Sequence, residues 1–240
     1  MSSLKNQARL AGWLYLLTSI VGFFAMGYVP GKLIVDGNAG ATANNITASE
    51  TLFRLGIAGS LIGQAGFIFV SLALYDLLKG VSRRYATLMV ILIVVSIPIA
   101  FFNEVSSIAA LLLARGADFL SVLEKPQRDA LMMLFLNLHN RGFTVAEIFW
   151  GLWLFPLGLL IYRSRFLPRF LGVWLVIAGF AWVIVSFTGI LLPQYVSQVY
   201  GYSQPAVLGE VALMLWLIIR GAKPPALDTV ASSTVIAASG

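Results

Sequence analysis

Residues 126–165 read PQRDALMMLFLNLHNRGFTVAEIFWGLWLFPLGLLIYRSR. As one helix at ~1.5 Å per residue this stretch would be about 60 Å long, roughly twice the ~30 Å hydrocarbon thickness of a bilayer. It carries the chain's single histidine, His139, with Asn140 and Arg141 beside it and Glu147 inside an otherwise apolar run. The run after Gly142 is too long and too poor in charge for a water-facing helix, so it reads as a membrane span. The excess length predicts a break at Asn140-Arg141-Gly142. Residues 127–140 are then an interfacial or protruding helix, and 143–162 are the span.

Composition agrees with a bilayer environment. Of 240 residues, 59% are hydrophobic and 11% charged, against roughly 25% charged in soluble domains. A pI of 9.8 would suit nucleic acid, but the basic residues sit in short clusters between apolar runs, which is a topology signal, so no nucleic-acid partner is expected. With no cysteine, disulfides and thiolate or iron–sulfur chemistry are excluded. One histidine excludes a multi-histidine metal site within the chain.

Six spans follow from the apolar runs, giving an all-α fold: a polytopic membrane helix bundle. The first, about 9–29, ends at Pro30-Gly31 and reads as a retained helix, not a signal peptide. Residues 30–49, rich in Gly, Asn and Thr, read as a loop. The second span, about 50–79, carries Gly56, Gly59, Gly63 and Gly66, a small-residue stripe for close helix approach. The third runs to about Arg115 with Pro98 as an expected kink. After 143–162, a fifth span covers about 167–192, with Gly172, Gly179 and Ser186 recurring every seven residues. Residues 193–205 read as an interfacial loop with three tyrosines, and 206–219 as a short sixth span. Residues 1–220 thus form the six-helix domain, and 221–240 are expected to be a disordered cytoplasmic tail.

With the N terminus inside, one face collects Lys5, Arg9, Lys79, Arg83, Arg84, Arg163, Arg165, Arg169, Arg220 and Lys223, while the other is close to neutral. The positive-inside rule therefore predicts both termini cytoplasmic, in a multi-pass protein of the bacterial inner membrane.

Counting at ~1.5 Å per residue from the cytoplasmic cations puts Glu104 about 30 Å up, Glu147 about 24 Å, and His139 and Arg141 at about 33–36 Å. Charged residues at such depth face a protein interior or a wet cavity. The expectation is one outward-opening polar pocket lined by Arg54, Asn103, Glu104, His139, Asn140, Arg141 and Glu147. The alternative is a set of buried ion pairs, such as Arg141 with Glu147 or Arg54 with Glu104. Glu50 and Arg54, four apart, are also placed to pair. Glu210 stands alone near the midplane, as a proton site or a hydrogen-bonded helix contact.

No dinucleotide fingerprint, P-loop, HExxH or GxSxG is present, so no cofactor is expected. A metal would need His139, Glu104, Glu147 and Asn103 or Asn140, an unusual donor set, and none is expected. Ser106 and Ser107 lie near the histidine's level without a distinctive spacing. Two functions remain. One is a pocket for a lipid headgroup or small amphiphile, with Arg54 and Arg141 on its anion and Asn103 and His139 orienting it, for transport or sensing among membrane lipids. The other is a hydrolase-like membrane enzyme at the outer leaflet, with His139 as base or metal ligand and Glu104 or Glu147 assisting. A transporter using Glu210 has less support, since no internal repeat is found.

Three stretches carry a family resemblance: ARLAGWLYLLTSIVGFF (8–24), ATANNITASETLFRLGI (41–57) and FLNLHNRGF…IFWGLWLFPLGLLIYRSRFLPRFLGVWL (135–175). They resemble a mostly bacterial family of integral membrane proteins termed domain of unknown function 4386, over nearly the whole chain except the tail. The resemblance implies several spans and no specific activity. In its pattern Arg54, Asn103 and His139 fall on recurrent polar positions. An acidic residue often follows the FRLGI stretch where this chain has Ser60, so any role of that acid is absent here.

Overall fold

The computed structural model describes residues 3–222, and these form nine α-helices and three short 3-10 or π turns with no strand among them. Helices α1 (Leu4–Phe23) and α2 (Val29–Leu33) are joined by a π-helical turn, Phe24–Tyr28, into one continuous segment. Then follow α3 (Ala39–Ala48), α4 (Glu50–Leu78), α5 (Arg83–Arg115), α6 (Lys125–Leu152), α7 (Leu154–Arg163), α8 (Arg169–Leu191) and α9 (Val196–Ile219). Six segments are long and apolar enough to cross a membrane: Leu4–Leu33, Glu50–Leu78, Arg83–Arg115, Lys125–Arg163, Arg169–Leu191 and Pro193–Ile219. Their outward faces are apolar, with Ile62, Phe69, Phe102 and Ile184 among many large side chains more than half exposed. In water such a surface would drive aggregation; in a bilayer it is the lipid contact. The chain is a multi-pass membrane protein.

Several boundaries differ from the sequence reading, each for a local reason. Pro30 does not end the first span. It lacks an N–H, and the segment absorbs that loss by widening to a π turn, with the Val29 N–H donating back to the Phe24 carbonyl. The expected loop 30–49 contains α3, begun by the Asn38 side chain accepting from the Ala41 N–H at 2.9 Å. Its Ala43 and Ile46 pack into an apolar cluster with Leu33, Phe53, Ala110 and Leu136. Residues 193–205 are likewise a 3-10 turn and the start of α9, with Pro205 inside that helix. Pro98 is carried within a continuous α5, which stops at Gly116 in a left-handed cap (φ +65°).

The fourth span is not broken at 140–142. Helix α6 opens with Pro126 in its first turn and a reciprocal cap between Glu124 and Gln127, and runs unbroken through His139 to Leu152. The interruption comes at Trp153, where Pro156 removes the N–H that would bond the Leu152 carbonyl. The first turns of α6 are tied by Lys125 to Asp129 at 2.7 Å, and Met132 and Leu136 pack into the cluster that α3 covers. Of the expected tail, residues 223–240 lie outside the described residues.

Glycine decides the helix contacts. A Cβ on Gly66 would meet Thr18 Oγ1 at 2.8 Å and one on Gly56 would meet Val29 Cγ1 at 2.9 Å, so the stripe of α4 is where the first span packs. The heptad Gly172, Gly179 and Ser186 of α8 runs antiparallel against Gly158, Gly151 and Thr144, themselves seven apart. A Cβ on Gly158 would lie 2.6 Å from the Gly172 carbonyl oxygen, one on Gly151 would lie 2.7 Å from that of Gly179, and the Ser186 hydroxyl donates to the Thr144 carbonyl.

Glu210 is not isolated. Its two carboxylate oxygens accept from the Tyr15 hydroxyl and, at 2.9 Å, from Trp182 Nε1, which ties α9 to α1 and α8. Gly209 beside it lets Trp174 approach. Truncating Glu210 to alanine leaves two buried donors unpaired and should cost about 1–3 kcal/mol, with Glu210→Gln retaining most of the stability. Thermal unfolding of the detergent-solubilised variants checks this.

Candidate functional site

Asn103 and Glu104 occur on α5 one turn before Ser107, a spacing that puts Glu104 and Ser107 on one face of that helix. All three are buried. His139, on α6, faces them. Ser107 Oγ lies 2.9 Å from His139 Nδ1, and Glu104 Oε1 lies 3.9 Å from His139 Nε2. Asn103 Nδ2 donates to the His139 backbone carbonyl at 2.7 Å, which fixes the histidine's turn of α6 against α5.

Gly142 makes this contact possible. A Cβ there would collide with the Asn103 carboxamide, so Asn103 occupies the space a side chain would take. The residue read as a helix break is a site of close approach. Gly142→Ala should separate α5 from α6 and displace His139, at a cost of about 1–3 kcal/mol. A lowered melting temperature together with loss of any His139-dependent property is the expected result.

The imidazole has two arrangements. In one, Nδ1 accepts the Ser107 hydroxyl proton and Nε2–H points at Glu104. In the other, Nδ1–H donates to Ser107 and to the Asn103 carbonyl, 3.4 Å away, and the Nε2 lone pair faces the carboxyl. The edge of the ring is braced by Phe143, with centroids 4.8 Å apart at 86°.

His139, Glu104, Ser107 and Asn140 line a cavity of about 50 Å³ with Ser60 and Gly56 of α4 and Ala25, Met26, Val29 and Pro30 of the first span. That volume suits one or a few waters or the head of a small molecule. Most of its wall is apolar. Two buried polar atoms on it, Glu104 Oε1 and Ser60 Oγ, have no hydrogen-bond partner among the described residues. The exposed lining residues Met26 and Asn140 mark the mouth on the flank of the bundle, where the π turn sits. Val29, Leu33, Phe53 and Leu136, which also line it, belong to the apolar cluster that α3 covers, so the cavity does not open directly outward as expected.

The structure therefore gathers Glu104, His139 and Asn140 on the cavity, with Asn103 directly behind. It does not bring Arg54, Arg141 or Glu147 there. Arg54 is exposed and pairs with Glu50 at 2.7 Å, and Arg115 joins the same carboxylate at 3.2 Å. This is the i,i+4 pair read from the sequence. It is not the Arg54–Glu104 pair. Arg141 donates to the Gly189 carbonyl at 2.9 Å, capping α8 instead of pairing with Glu147. Both arginines have partners that compete with an anion in the cavity. Glu147 sits half-buried two turns along α6. Ser60 and Ser107 were not distinguished by sequence, because a serine in an apolar helix more often bonds its own backbone, as Ser96 does here at 2.7 Å.

A family model described as Domain of unknown function (DUF4386) matches residues 10–221. The chain belongs to that family. An uncharacterised protein of Archaeoglobus fulgidus is 29% identical over 159 residues, 65% of this chain and 77% of that protein. No solved structure matches. The DUF4386 match covers all but the first turns of the first span, the other five spans, and both helices that carry the cavity's polar wall, so the Glu104–His139–Ser107 grouping lies wholly within the family's domain.

Proposed function

We propose that this protein binds a small amphiphile whose hydrogen-bond-donating head, an amine or a hydroxyl, enters the cavity and whose apolar part lies along the lipid-facing mouth. The observation that carries this is Glu104 Oε1: a buried carboxylate oxygen on a cavity wall with no hydrogen-bond partner among the described residues, His139 Nε2 standing off at 3.9 Å. Leaving such a group unmatched is costly, so an occupant that donates to it gains the whole difference. Ser60 Oγ supplies a second contact and His139 a third. With Arg54 and Arg141 engaged elsewhere, the fit is to a donor head, not to the phosphate or carboxylate considered from the sequence. The setting is the cell's inner membrane with both ends cytoplasmic, supported by the basic surplus on the face carrying Lys5 and Arg220.

The test is a thermal-shift series with dodecylamine, dodecanol and dodecyl phosphate on the purified protein. Stabilisation by the first two and not by the phosphate is expected. The reverse order would overturn the reading.

A second reading rests on the 2.9 Å contact between Ser107 Oγ and His139 Nδ1. With Nδ1 taking the hydroxyl proton as Oγ attacks an acyl carbon, Nε2–H of the resulting imidazolium faces Glu104, a serine-histidine-acid order suited to ester hydrolysis. Release of p-nitrophenol from p-nitrophenyl butyrate, lost in Ser107→Ala while dodecylamine binding persists, would favour this enzyme.

A further inference from the structure

A second cleft lies at the opposite end from α3, where the start of α1, the turn between α7 and α8 and the end of α9 meet. It encloses about 550 Å³ and is lined by Lys5, Arg165 and Arg220, by Phe166, Leu167, Trp216 and Ile219, and by no acidic side chain. The three cations come from three separate segments. Among the described residues none of them forms an ion pair or donates a side-chain hydrogen bond. Three other cations of the same face are engaged: Lys79 pairs with Asp76 at 2.6 Å, while Arg163 and Arg169 lie over the rings of Tyr85 and Tyr162 at 5.6 and 5.5 Å.

Two backbone features hold the cleft in shape. Arg165 has φ +59°, the one non-glycine residue described in the left-handed region. An arginine rarely adopts that conformation, and such residues cluster where binding repays the strain. Gly221, at φ +68°, ends α9 with its N–H on the Trp216 carbonyl at 3.0 Å, and a Cβ there would lie 2.9 Å from Lys5 Cγ. The missing side chain lets Lys5 lie against the end of α9 beside Arg220.

We infer that this cleft binds the phosphate-bearing headgroup of an anionic phospholipid in the leaflet on the side of the chain ends. Two guanidinium groups and an ammonium, converging with no acidic neighbour among the described residues, match a phosphodiester that carries net charge. Trp216, Ile219 and Phe166 match the glycerol and the first carbons of the acyl chains, at the depth where tryptophan prefers to sit. The site is independent of the cavity at Glu104.

The experiment is a native mass spectrometry titration of the full-length detergent-purified protein with dihexanoyl phosphatidylglycerol, dihexanoyl phosphatidylcholine and inorganic phosphate. Phosphatidylglycerol should bind on the order of 10-fold or more tighter than the other two. The K5Q/R165Q/R220Q variant should lose on the order of 100-fold, at roughly fivefold per cation. R83Q/R84Q, on the same face but outside the cleft, should bind as wild type. Arg165→Gly separates binding from folding: it removes one cation and relieves the left-handed strain, so it should keep or raise the melting temperature while weakening phosphatidylglycerol about fivefold. Unchanged affinity in the triple variant, an equal loss in R83Q/R84Q, or inorganic phosphate binding as tightly as the lipid would each overturn the assignment.

Discussion

Gly158→Ala and Gly172→Ala should each yield little or no monodisperse protein, the largest effect of any single methyl group in the chain. A Cβ on Gly158 would stand 2.6 Å from the Gly172 carbonyl oxygen, and one on Gly172 would stand 2.5 Å from that of Gly158 and 2.7 Å from the Tyr162 nitrogen. These are backbone atoms of packed helices, so no rotamer change relieves the clash and α7 must move away from α8. The expected cost is about 3 kcal/mol or more, a large part of a typical stability of about 5–15 kcal/mol. Gly22→Ala is the control. Nothing lies within 4 Å of a Cβ there, so the same substitution should stabilise by about 0.5–1 kcal/mol through helix propensity alone. Yield and elution profile after size exclusion distinguish the two outcomes. Equal tolerance at Gly158 and Gly22 would mean that α7 and α8 do not meet as described.

Glu104→Leu should separate stability from function. It removes an unmatched buried oxygen and fills the wall with carbon, so the melting temperature should stay level or rise. Donor-headed amphiphiles should then lose the charge-assisted contact, about 1.5–3 kcal/mol or roughly 10- to 150-fold in affinity. Residues kept at a cost to stability in this way are typical of binding sites. Glu104→Gln, which keeps an acceptor oxygen, should fall between. A dodecylamine titration of all three proteins measures it. A Glu104→Leu variant with a lowered melting temperature and unchanged dodecylamine affinity would indicate a structural ion pair with His139.

The spans were legible because apolar length is a direct physical requirement of a bilayer, and the small-residue stripes at 56–66 and 172–186 were legible because helix approach in lipid depends on them. Glu104 and His139 could be placed together from depth alone, since an ionisable group at that level must face inward. What sequence could not supply was azimuth. Arg54 and Arg141 share the depth of the cavity but point around their helices toward Glu50 and Gly189. Asn140-Arg141-Gly142 looked like a break because glycine has two uses, flexibility and closeness, and only the position of Asn103 shows which applies. Ser107 was unremarkable until α6 brought His139 beside it, because that contact joins residues 32 apart. Helix α3 was missed because its apolar residues are few and gain their stability from the cluster they cover.

The most direct test of the central claim is to ask what travels with the protein. Wild type and Glu104→Leu, purified identically and released intact from detergent into a mass spectrometer, should differ. The wild type should carry a bound species with an amine or hydroxyl head that the variant lacks. The same adducts on both proteins, or a lost species whose only polar group is an anion, would contradict the account.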